Sequence, residues 1–139
     1  MIHMTTNDST RKAIFPRHPH ALYKVHGYSP AIRSGDLLFV SGMVGARKDG
    51  TPEPDLKKQV ALAFENLRGV LEAAGCTLDD VVDVTMFLVD PEASMSHVIE
   101  AMREAFPREP FANVTAVGVH WLAGFQFEIK VIARIPQRP

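Results

Sequence analysis

From Leu56 to Ala74 the apolar residues Leu56, Val60, Ala63, Phe64, Leu67, Val70, Leu71 and Ala74 recur three or four positions apart, with Lys57, Lys58, Glu65, Arg68 and Glu72 off the stripe. That period predicts an amphipathic helix. Pro52 and Pro54 suit its entrance and Gly75 its left-handed stop. Met95, Val98, Ile99, Met102 and Phe106 predict a second, shorter helix, capped by Ser94 and ended by Pro107. Elsewhere the spacing changes to that of strands. Ser34-Gly35-Asp36 separates Ala21–Arg33 from the apolar run Leu37-Leu38-Phe39-Val40, which reads as an antiparallel hairpin. Val81–Val89 is apolar or β-branched at nearly every position, as an interior strand buried on both faces would be. Ala112–Val119 and Phe125–Ile135 complete the set, and the last alternates Phe127 and Ile129 with Glu128 and Lys130.

The predicted order is β-β-α-β-α-β-β, an α+β domain with a mixed sheet of about five or six strands. Residues 1–20 are polar and carry Pro16 and Pro19, so they read as an N-terminal tail or edge segment, and residues 21–139 as the domain. If both crossovers are right-handed, the two helices share one face of the sheet. The other face then offers Val81, Phe87, Val89 and Val119 to solvent, and a second copy of the chain would cover it. A homo-oligomer is therefore expected.

Composition narrows the class further. A chain of 139 residues, 46% hydrophobic and 22% charged, is sized for one domain. Its net charge of −1 supplies no general attraction for nucleic acid or an anionic membrane. Lone Cys76 excludes an internal disulfide and a four-cysteine zinc site. No apolar run approaches the ~18 residues of a membrane helix, and a cytoplasmic setting is expected. The six histidines include no pair on a helix face joined to a carboxylate, so neither a metal nor another cofactor is expected.

Candidate chemistry gathers at strand ends. Glu128 and Lys130 sit two apart and share one strand face, where burial would demand partners or a ligand. Solvation on an exposed face is their plainer reading. Gly27-Tyr28-Ser29 and Ser41-Gly42-Met43 are places where backbone can approach a ligand. Tyr28 can donate a proton or hold water, or can simply be a packed aromatic. His26 lies beside Tyr28 and can titrate near neutrality.

Read in order, Gly27-Tyr28-Ser29, the run Gly35-Asp36-Leu37-Leu38-Phe39-Val40-Ser41-Gly42, Gln59 with Asn66-Leu67, Leu71-Glu72-Ala73-Ala74-Gly75, Asp79-Asp80-Val81-Val82 and Phe127-Glu128-Ile129 resemble the RidA/YjgF family of reactive-intermediate deaminases. The resemblance spans about residues 21–135. It implies a chorismate-mutase-like (YjgF-type) fold assembled as a homotrimer, with small-molecule clefts between subunits. It also implies hydrolysis of an enamine or imine such as 2-aminoacrylate. By position, Tyr28 matches the family's pocket tyrosine, Gly42 the glycine of its serine-glycine turn, and Glu128 the water-positioning glutamate.

Three positions depart from that pattern. Where the family has proline-alanine-arginine, this chain reads Phe111-Ala112-Asn113, so Asn113 replaces the arginine that pairs with the substrate carboxylate. Met43 stands where a glutamine is frequent, and Pro30 where another is usual; Thr115 stands where cysteine or threonine does. An amide offers neutral hydrogen bonds in place of a bidentate charged clamp. Loss of such a pair in a sheltered cleft costs about 2–5 kcal/mol, so weak or absent activity on 2-aminoacrylate is expected. Two ways out remain: Lys130 or Arg33 supplies the positive charge from elsewhere, or the true ligand lacks a carboxylate and needs Asn113 as donor and acceptor. The alternatives are a non-catalytic small-ligand-binding or chaperone-like trimer and, against the charge balance, an endoribonuclease.

Overall fold

A computed structural model describes residues 10–137. Its elements in chain order are β1 (Lys12–Ile14), α1 (Leu22–His26), β2 (Ala31–Ser34), β3 (Leu37–Val40), β4 (Met43–Val44), α2 (Leu56–Ala73), β5 (Val81–Leu88), α3 (Pro91–Ala105), β6 (Asn113–Gly118) and β7 (Phe127–Arg134). Residues 1–9 of the predicted tail lie outside the described residues. Lys12–Ile14 pairs with β2 as the edge of a seven-stranded mixed sheet in the order β1-β2-β3-β7-β5-β6, with β4 also on β7. Only β5 and β6 pair in parallel.

β7 is the centre of the sheet because it is apolar on one face throughout. Phe127, Ile129, Val131 and Ala133 are all fully buried beneath α2 and α3. The stripe of α2 supplies Val60, Ala63, Phe64, Leu67, Val70 and Leu71 to the same core, and Phe64 stacks on Phe127 at 5.9 Å. Asp55 caps the helix by accepting from Lys58 N–H at 3.0 Å. Gly75, at φ +79°, ends it, and Cys76 N–H reaches back to Leu71 O.

Several local expectations are corrected. Ala21–Arg33 is not one strand: Leu22–His26 forms a single helical turn closed by Gly27 at φ +71°. Tertiary packing holds that turn, since buried Tyr23 stacks on His20 and meets Phe15 and Tyr28 edge-on. Helix α3 begins at Pro91 with Asp90 as its cap, while Ser94 is buried inside it and donates to Asp90 O at 2.9 Å. Val81 faces the helices, not the open side, because pairing slips by one residue between Val81 and Asp83. Beyond that slip, Asp83, Thr85 and Phe87 turn to the helix-free face, where they are only half-buried. β5 is therefore interior to the sheet but covered on one face in the protomer.

Candidate functional site

A second slip in register builds the site. Pairing with β7 passes from Phe39 opposite Ile132 to Met43 opposite Ile129, so four residues advance on one side for three on the other. The extra residue inverts the alternation. Met43 turns beneath the sheet, 1% exposed, where the Tyr23 hydroxyl donates to its Sδ at 3.7 Å. Val44 turns to the open face beside Glu128. The bulge is held from outside: Ser41 Oγ donates to Ser29 O at 2.7 Å, and Lys130 Nζ donates to Val40 O at 3.2 Å.

Gly42 lies in this bulge, and a Cβ there would overlap the Glu128 carboxylate. The absent side chain lets the acid rest against the backbone. Glu128 is half-buried, and burial raises its pKa from the ordinary glutamate value against the opposing pull of Lys130. Tyr28 follows the helix-ending Gly27 and is positioned by an edge contact with Tyr23 at 5.0 Å. Burial, then the negative charge of Glu128, raises its pKa, so the phenol keeps its proton.

Both residues line a cavity of about 410 Å³ with Gly42 and His26. Its apolar walls come from Leu22, Val44, Pro52, Leu122 and Phe125, with Trp121 at the mouth, 72% exposed. Ala123 and Gly124, at φ 53° and 97°, fold the connecting loop over it. Sequence reading missed these walls. The available signal was Trp121-Leu122, two large apolar residues placed in a connection and not in a strand.

The remaining predicted residues lie elsewhere in the protomer. Arg33 is exposed and donates through Nε to Gly35 O at 3.0 Å. Asn113 and Thr115 lie on edge strand β6, on the helix-free face, with Asn113 Nδ2 donating to Asp83 Oδ1 at 2.7 Å. Register puts Asn113 two strands across from Glu128 and four residues along, a separation of about 15 Å from strand spacing and rise. Among the described residues, no group of three or more His, Cys, Asp or Glu side chains could hold a metal ion. None of their helices is long and apolar enough to cross a membrane.

Residues 18–135 match the sequence model of the family described as endoribonuclease L-PSP. The RutC family protein YjgH of Escherichia coli (strain K12) is 61% identical over 128 residues, covering 92% of this chain and 98% of that protein. A solved structure of protein YJGH, at 60% identity, superposes with a TM-score of 0.89 over 94% of this chain and all of its own. A 2-iminobutanoate/2-iminopropanoate deaminase of Dermatophagoides farinae is 29% identical over 103 residues, 73% of this chain and 79% of that enzyme.

Proposed function

The chain belongs to the endoribonuclease L-PSP family, the RutC and YjgF/RidA proteins, and from that premise we propose that it is a RidA-type hydrolase of imine- or enamine-like metabolites. The observation that carries the reading is the half-buried Glu128 carboxylate lying against Gly42 in a cavity it shares with Tyr28. Glu128 takes a proton from water as the oxygen attacks the imine carbon. It passes that proton to nitrogen to give a carbinolamine, then moves the carbinolamine hydroxyl proton to the same nitrogen as the C–N bond breaks, so imine and water become carbonyl and ammonia. Tyr28, kept as a phenol, donates a hydrogen bond to the substrate, and the backbone at Gly42 helps to hold it. Met43, buried on the other side of the sheet, acts only as support for Tyr23.

Asn113 and Thr115 join this site only from a neighbouring copy, since in their own chain Asn113 is about 15 Å from Glu128. A homotrimer with clefts between subunits supplies that arrangement and covers the helix-free face. With Asn113 in place of an arginine, and with Lys130 and Arg33 engaged on backbone carbonyls, a substrate carboxylate finds no lysine or arginine among the described residues that line the cavity. Activity on 2-aminoacrylate is weak or absent.

Ammonia release from a panel of imines, with Glu128→Gln beside the parent, tests the reading. The parent should turn over at least one of them and the variant should be about 10²-fold slower or worse. No release from any imine would leave a ligand-binding trimer without chemistry. For nucleolysis, the net charge of −1 gives no backbone-binding field, and repurified protein should leave RNA intact.

A further inference from the structure

The charge of the Glu128 cavity identifies a ligand class that the proposed reaction leaves open. Among the described residues Glu128 is the one carboxylate in the cavity's lining, and no lysine or arginine lines it. Lys130, on the same sheet face, holds the Val40 carbonyl, and Arg33 holds that of Gly35. His26, exposed, lies at the cavity's edge. If a neighbouring β6 closes the mouth, it brings Asn113 already bonded to the Asp83 carboxylate, a second acid. An acidic ligand would thus face like charge in a sheltered space, where such juxtaposition is costly.

The walls are suited to something else. Leu22, Val44, Leu122 and Phe125 offer an apolar body its complement, while Tyr28 and Trp121 place aromatic rings, which attract a positive centre, in the lining. We propose that the cavity selects an organic cation with an apolar body and no carboxylate, an alkyl- or aryl-substituted iminium or ammonium ion, its nitrogen paired with Glu128 beside Tyr28 and Trp121. The proposal rests on the Glu128 cavity being the ligand site, and it requires binding but not turnover.

Trp121 is the only tryptophan of the chain, so intrinsic fluorescence reports on this cavity directly. Full-length protein is titrated at pH 8 with 2-phenylethylammonium, 2-phenylethanol and 3-phenylpropionate. These share an aryl body and differ in charge. The ammonium should bind about tenfold or more tighter than the alcohol, and the carboxylate weaker than the alcohol by a similar factor. Glu128→Gln should erase the advantage of the ammonium. In the parent, ammonium affinity should also fall as pH drops through the raised carboxylate range, with the alcohol unaffected, which serves if the variant does not fold. Equal or tighter binding of the carboxylate overturns the proposal, as does a cation preference that survives Glu128→Gln or acidification. Cation preference without ammonia release from any imine removes the hydrolase reading alone. Turnover without the preference removes this one alone.

Discussion

Gly42 has no room for a methyl group because the Glu128 carboxylate occupies the space its Cβ would need. That close approach is one reason the acid is held away from water, and it has a consequence for stability. Burial raises the folded-state pKa of Glu128 above its ordinary value, so the folded protein holds this proton more tightly than the unfolded chain does. Stability is therefore lost as pH rises from the ordinary glutamate range through the raised value, and the loss is complete above it. Glu128→Gln should melt higher than the parent at pH 7–8, with the gap closing toward pH 4, when both are followed by circular dichroism. A variant less stable than the parent at neutral pH would mean that the ionised carboxylate is net stabilising. At this scale Glu128, Tyr28, Gly42 and His26 were legible from residue type and position in sequence, and they share one cavity. Met43 was not, because its direction depends on a bulge that its own chemistry does not announce.

The elements owe their clarity to local rules that act strongly. Helix α2 could be read to within a residue of its Leu56–Ala73 span because its stripe and its glycine stop agree. Its stop can be tested alone. Gly75 adopts φ +79° with open space around its Cα, so Gly75→Ala should cost about 1 kcal/mol from backbone strain without any clash. Urea denaturation would read this as a lower midpoint with unchanged slope, and an unchanged midpoint would show that the left-handed turn tolerates a side chain. Strand registers obey no comparable local rule. One extra residue between β3 and β4, and another near Val82 in β5, each reverse which side chains face the core. The turn at Leu22–His26 was hidden for a similar reason, since it is held by the rings packed around Tyr23 and not by any helical period.

Across the whole molecule, the unbalanced feature is the helix-free face of the sheet. Phe39 and Val117 are each 40% exposed there, and Phe87 lies half-buried beside Val117. Covering such side chains is worth about 1.5–3 kcal/mol each, which favours self-association of copies. Sedimentation should give about three times the protomer mass of 15.4 kDa. Phe87→Asp should lower that to one protomer with far-ultraviolet circular dichroism retained, and a parent that sediments as a stable monomer would defeat the trimer. The sequence by itself determined the α+β class, the two long helices and the acid on β7, because side-chain periodicity acts over a few residues. Only the tertiary structure decided what surrounds that acid: the bulge between β3 and β4, a ring cluster and the Trp121 loop converge from segments far apart in the chain. Their meeting depends on packing and register, which no local pattern encodes.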